Sequence, residues 1–333
     1  MEKINEMEEI KQVEYWTFEN CFILERNFNR PLNNYIDLIK NFDELFFANH
    51  DDHHMVISII EDKKFHYYAT NKGSKFNQSL DNSLNQLCLL KKLTFGEHFN
   101  QSLSNELNGL VNLNKLIFGR NFSQPLTNSF NNLHLLKELT FGINFNQFLS
   151  NDLDGLINLE ELTFGMRFNQ PLTHSFNCLG HLKKLKFTGD FNQPLLDSLY
   201  CLQNLSQLFF GFKFSQPLND TLNHLTHLEF LSIENNYNHE LNLPSNIKGF
   251  SLGSDLPNII DNLPNSIKHL RLGYHFDLPL DNLPNSIKKI EFFKDSLYNN
   301  PLNNLPKSLK LLKLPKKYNL EIKNIPCKCK VVK

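Results

Sequence analysis

Between Phe76 and Tyr237 the apolar positions form one pattern that returns every 23 residues, with an aromatic at 76, 99, 122, 145, 168, 191, 214 and 237. The unit FNQFLSNDLDGLINLEELTFGMR from Phe145 is followed by FNQPLTHSFNCLGHLKKLKFTGD from Phe168, so Phe, Leu and Gly hold the same offsets each time. Self-similarity at such a period is the mark of a solenoid. A unit this short cannot bury its own apolar face, so successive units must stack as coils and share one continuous core.

Within a unit, LTFG alternates in the manner of a strand. Leu93 and Phe95 are predicted to point inward and Lys92 and Thr94 outward, because neighbouring side chains of a strand take opposite faces. Stacked coil on coil, these short strands pair in parallel. Gly96, Gly119, Gly142, Gly165 and Gly211 close the strand, where a positive φ or a tight bend costs least, although Thr188 takes that place once. On the return side, SFNNLHLL (129–136) places apolar residues at intervals of three, which predicts one or two helical turns. Ser129, Asp152, Ser175, Ser198 and Thr221 stand where a helix cap would accept a free backbone N–H.

Beyond Tyr237 the unit shortens: Leu256, Phe276, Leu297 and Tyr318 follow at spacings of 19, 20, 21 and 21. There LPSNIK, LPNSIK and LPKSLK replace the helical segment, and Pro244, Pro264, Pro284 and Pro306 withhold an amide donor, so 3-10 or extended backbone is expected. The expected fold is therefore an α/β solenoid with parallel strands on one face, and short helical turns then 3-10 or extended segments on the other. Its parts are an N-terminal cap (1–27), degenerate repeats with an insertion (28–75), regular repeats (76–237), shorter Pro-containing repeats (238–317) and a C-terminal cap or tail (318–333).

With 333 residues the chain is longer than one globular core supports, but a solenoid grows along its axis without thickening. Its 34 basic and 35 acidic residues leave a net charge of -1, which provides no basic field for nucleic acid. The first residues, MEKINEMEEIKQVEYW, lack the apolar core of a signal peptide, and no run of 18 apolar residues occurs, so a soluble, monomeric, cytoplasmic protein away from membranes is expected. The six cysteines are scattered and are read as reduced thiols. Neither a phosphate-binding glycine loop, a nucleophile elbow nor an HExxH helix is present, so no catalytic residue, cofactor or metal is expected. The run His50, Asp51, Asp52, His53, His54 is read as a polar loop, its members too close in sequence to converge on one ion, and the spacing of Cys327 and Cys329 suits no standard zinc site.

Candidate functional positions follow from the repeat. Phe99, Phe122, Phe145, Phe168, Phe191 and Phe214 are core residues, and Asn100, Asn146, Asn169 and Asn192 are expected to form a ladder along the stack or to serve as corner residues. Partner contacts belong to the outward strand columns. One reads Lys92, Lys115, Glu138, Glu161, Lys184, Gln207, Phe230; the next reads Thr94, Ile117, Thr140, Thr163, Lys186, Phe209, Ser232. Phe209 and Phe230 would form an exposed aromatic patch on neighbouring strands, with Lys184 and Lys186 beside it and Ile117 farther along, a surface of the kind that anchors a protein partner. The adjacent Glu138 and Glu161 could mimic the carboxylate pair of a carbohydrate-active solenoid, but the lysines on either side make ion pairs the better account.

The run FNQPL followed by a Ser-Leu/Phe segment and LxxLxFG, with FNQP at 168–171 and 191–194, FSQP at 122 and 214 and FDLP at 276–279, resembles the FNIP repeat, a relative of the leucine-rich repeat. The resemblance covers nearly the whole chain from Phe28. It implies a non-enzymatic protein-binding scaffold of the kind found in social amoebae and in giant viruses that infect amoebae, recruiting a host or cellular protein. Some such proteins carry an F-box ahead of the repeats and serve a ubiquitin ligase; residues 1–75 show no such module, so that role would need the F-box supplied elsewhere. A structural or virion component is the remaining alternative.

Overall fold

The computed structural model describes residues 15–47, 74–195, 198–218, 221–234, 237–253, 255 and 257–333. Its backbone is one sheet of fifteen short strands arranged in sequence order. These are β1 (Tyr15–Phe18), β2 (Cys21–Leu24), β3 (Glu44–Phe47), β4 (Lys92–Thr94), β5 (Lys115–Ile117), β6 (Glu138–Thr140), β7 (Glu161–Phe164), β8 (Lys184–Phe187), β9 (Gln207–Phe210), β10 (Phe230–Ile233), β11 (Gly249–Leu252), β12 (His269–Leu272), β13 (Lys289–Phe292), β14 (Leu311–Lys313) and β15 (Lys330–Val332). β1 and β2 form an antiparallel hairpin, and every later pairing is parallel. This is a leucine-rich-repeat-like β-solenoid with few helices.

The alternation of each strand sets its register. Leu93, Leu116, Leu139, Leu162, Leu185 and Leu208 are paired strand to strand and are all but fully buried. Behind them the aromatic rings form two parallel stacks. Phe95, Phe118, Phe141, Phe164, Phe187 and Phe210 follow one another at 5.3–5.7 Å between ring centroids. Phe76 through Phe214 to Tyr237 follow at 5.8–6.4 Å. The stacks also touch each other, as at Phe141 and Phe145, 4.0 Å apart. Tyr237 ends the regular array with a polar atom in the core, and its hydroxyl accepts a hydrogen bond from the Leu218 N–H at 3.0 Å.

Several expectations are corrected. β3 pairs directly with β4, and Phe28 stacks on Phe76 at 5.8 Å, so the coil that begins at Phe28 packs against the one that begins at Phe76; residues 48–73, which hold most of the expected degenerate coil and its insertion, lie outside the described residues. Past Phe276 the stacked ring is Tyr298, 6.1 Å from Phe276 and 6.2 Å from Tyr318; its neighbour Leu297 is exposed. Even spacing alone placed the core residue one position early. On the return side, helical turns give way to successive tight turns, closed by bonds such as Leu133 N–H to Phe130 O and Leu136 N–H to Leu133 O. A three-residue apolar interval serves such a chain of turns as well as a helix; 3-10 helices form at Leu32–Tyr35, Ser83–Gln86 and Thr221–His224. The prolines behave similarly, since Pro244, Pro264, Pro284 and Pro306 each offer a carbonyl to the N–H three residues on. A short α-helix, Pro257–Asp261, also lies in this half.

Two of the expected cap positions do not cap. The Ser175 hydroxyl donates to the Leu149 carbonyl of the preceding coil, and the Ser129 hydroxyl is buried with no partner among the described residues. The strand-closing glycines do not have positive φ either, as no described glycine does. Their requirement is space: a Cβ on Gly142 would lie 1.8 Å from the Gly119 carbonyl oxygen, and one on Gly165 would lie 1.8 Å from that of Gly142. Left-handed backbone falls instead to Asn82, Asn105, Asn128 and His174, each opening a return segment, with φ between 58° and 61°. Asparagine tolerates that conformation better than most residues, which accounts for part of its abundance.

Candidate functional site

Outward strand positions carry charges that pair along the sheet. Lys115 meets Glu138 at 2.5 Å and Glu161 meets Lys184 at 2.9 Å. On the column beside them Glu160 lies between Lys137 at 3.2 Å and Lys183 at 2.5 Å. Hydrogen bonds from Lys183, then Lys137, hold the Glu160 carboxyl below its ordinary range. Farther along, Glu229 pairs with Lys248. Each of Glu138 and Glu161 thus has its own lysine, which argues against a catalytic carboxylate pair.

This run of paired charge is interrupted at β9 and β10. Phe209 and Phe230 stand side by side with ring centroids 5.2 Å apart and planes inclined by 34°, both half-buried. Phe230 reaches over β11, where Gly249 leaves it room: a Cβ there would lie 2.5 Å from the ring. Lys186 is Phe209's register neighbour on β8 and has no ion-pair partner among the described residues. Lys184 is engaged by Glu161, and Ile117 lies four strands from Phe209 in the same column, so neither joins the aromatic pair.

On β12 and β13 the face carries a polar cluster that spacing did not reveal. The Glu291 carboxylate contacts His269 Nε2 at 2.7 Å and Lys289 Nζ at 2.8 Å, while the Arg271 guanidinium lies 4.5 Å over the Phe293 ring. The repeat shortens here and its outward columns change residue type at each strand, so only the register brings these groups together.

The asparagines form a one-way ladder at the corner that follows each strand. The side-chain oxygen of Asn77 accepts the Asn100 N–H at 2.8 Å, Asn100 accepts that of Ser123 at 2.9 Å, Asn146 that of Asn169 at 2.9 Å, Asn169 that of Asn192 at 2.9 Å, and Asn192 that of Ser215 at 2.8 Å. Ser123 continues the line through its hydroxyl, which accepts the Asn146 N–H at 3.3 Å. The following glutamines add second bonds, as from Gln193 Nε2 to Asn169 at 3.1 Å. Beside this ladder opens a cavity of about 720 Å³, lined by Asn146, Arg167, Asn169, Asp190, Asn192, Phe212 and Lys213.

The HDDHH run lies outside the described residues. Cys327 is exposed and Cys329 half-buried, both free thiols. Among the described residues no three metal-capable side chains converge, and no helix is long and apolar enough to cross a membrane.

Residues 257–295 match the family described as FNIP Repeat. No curated protein matches the chain. Among solved structures, an internalin (inlF) from Listeria monocytogenes is similar at 16% identity and a TM-score of 0.54, over 94% of this chain and 86% of that one. The Leptospira interrogans LRR protein LIC12759 is similar at 18% identity and a TM-score of 0.51, over 92% and 81%. CroV588, described as a novel circular LRR protein structure, is similar at 24% identity and a TM-score of 0.49, and the match spans 96% of this chain but 60% of that one.

Proposed function

Because the chain carries FNIP repeat sequence in a leucine-rich-repeat-like solenoid, we propose that it is a non-enzymatic scaffold that holds a protein partner against the outward face of its sheet. The Phe209 and Phe230 pair carries this reading. On a face whose charges are largely neutralised by one another, two half-buried aromatic rings offer apolar area that a partner can cover, and aromatic residues of this kind dominate interface energetics. Lys186 adds an unpaired cation at the border, favouring a partner with an acidic residue beside its apolar one. Repeat folds of this type are typically not catalytic, and a stack that offers a long surface in place of an enclosed pocket suits capture. A reducing, intracellular setting suits the exposed thiols of Cys88, Cys178 and Cys327.

Cross-linking in native cells, followed by mass spectrometry, tests the proposal with the wild type and with the double variant Phe209→Ser/Phe230→Ser. One partner cross-linked to strands β8 to β11 and lost in a variant with unchanged circular dichroism and thermal unfolding would support it. The same partner captured equally by both proteins would show that the rings are not the anchor, and an unfolded variant would show that they belong to the core.

A further inference from the structure

The cavity beside the ladder has a bias that follows from where the hydrogen bonds go. The side-chain oxygens of Asn146, Asn169 and Asn192 each accept the backbone N–H of the next coil, and each takes a second bond from Gln170, Gln193 or Gln216. With the oxygens occupied, the three Nδ2 groups have no acceptor among the described residues. They stand in a row at the spacing of neighbouring coils, roughly 4.8 Å. Arg167, exposed on the same wall, has no ion-pair partner among the described residues. Lys213 is held by Asp190 at 2.8 Å, so this pair cancels and Arg167 sets the charge of the cavity. Upstream, the equivalent position of the coil is neutral at Asn121 and Asn144, which bond to each other at 2.9 Å. Phe212, 43% exposed, supplies an apolar wall.

A row of N–H donors beside one unpaired guanidinium is complementary to an oxyanion, and a planar carboxylate matches the guanidinium fork in two parallel bonds. The single acidic residue in the wall and the near-zero charge of the chain disfavour a polyanion such as nucleic acid. We propose that this cavity binds a carboxylate presented by an acidic segment of a protein, with an adjacent apolar side chain against Phe212. The site is separate from the aromatic pair on the sheet, so either reading stands if the other fails.

The test follows the side-chain amide resonances of Asn146, Asn169 and Asn192 by NMR, using an acetylated, amidated peptide that alternates glutamate and leucine. Its glutamine counterpart and inorganic phosphate are the comparison probes. Support consists of shifts in those three amides with the glutamate peptide, none with the glutamine peptide, and at least tenfold weaker binding by Arg167→Gln. Equal binding of the glutamine peptide, unaltered binding by Arg167→Gln, or no shift at millimolar peptide would overturn the proposal. Binding of phosphate without the peptide would also overturn it, reducing the cavity to a site for free oxyanions.

Discussion

The rings of Phe145 and Phe168, 23 residues apart, lie 6.0 Å from one another and within 8° of parallel, and Phe168 also contacts Phe164 at 4.1 Å. Each phenylalanine of this column therefore serves two coils at once. Phe168→Ala removes that shared contact and leaves a void that rigid neighbouring rings cannot close. The expected cost is about 3–5 kcal/mol. In hydrogen exchange, amides between residues 145 and 191 should lose protection well before those around Phe276, since coils couple mainly to their neighbours.

Gly142 and Gly180 make a matched pair of tests. Alanine at 142 would force its Cβ against the Gly119 carbonyl, and a loss of about 1–3 kcal/mol is expected. Alanine at 180 meets nothing within 4 Å and has no positive φ to violate, so it should be neutral or stabilise by up to about 1 kcal/mol. Urea denaturation of the two variants distinguishes coil-to-coil crowding from backbone conformation as the reason for glycine.

Asn100→Ala takes away the oxygen that receives the Ser123 N–H. That amide is only part-buried, so water can replace some of the bond, and a loss of about 0.5–1.5 kcal/mol is expected. Asn100→Asp keeps an acceptor at the same reach and should recover most of the stability at neutral pH, as read by thermal unfolding.

Acid should weaken the β12–β13 region in two stages. Burial lowers the pKa of His269 below its ordinary 6.5, outweighing the opposing pull of Glu291. As pH falls through about 6.5 the unfolded chain takes up a proton that folded His269 still refuses, and stability declines. Burial raises Glu291, but Lys289 and His269 together bring it below its ordinary 4.5, so its contribution persists to lower pH and is lost as pH falls through its folded value. In His269→Asn the urea midpoint should vary less between pH 7.5 and 5.5 than in the wild type, while the decline below pH 4.5 remains.

Much of the architecture is legible in the chain because the core is repetitive: Leu93 and Phe95 name the inward face of one strand, and each 23-residue step restates it. The ladder could be anticipated at Asn100 and Asn169 for the same reason, as could the proximity of Phe209 and Phe230 once columns are drawn. What failed depended on choices among backbones that share a spacing. The interval Phe130, Leu133, Leu136 fits tight turns and helix alike, and Leu297 and Tyr298 compete for one core place that only packing awards to tyrosine. Glycine after each strand suits a positive φ or a tight bend alike, whereas the constraint at Gly142 and Gly165 is a carbonyl of the adjacent coil. The donor-lined cavity was invisible because Asn169 reads the same in the sequence whether its amide nitrogen is used or spare.

The asparagine ladder has a direction. Every rung hands its oxygen forward and receives from behind, so no coil of the regular array is a partner to itself. Excising or duplicating one 23-residue length in frame would bring two equivalent rungs into contact and close the same bond again. Gene-level recombination could thus lengthen or shorten the rod without redesigning its interior, leaving selection to act on the surface each added coil displays.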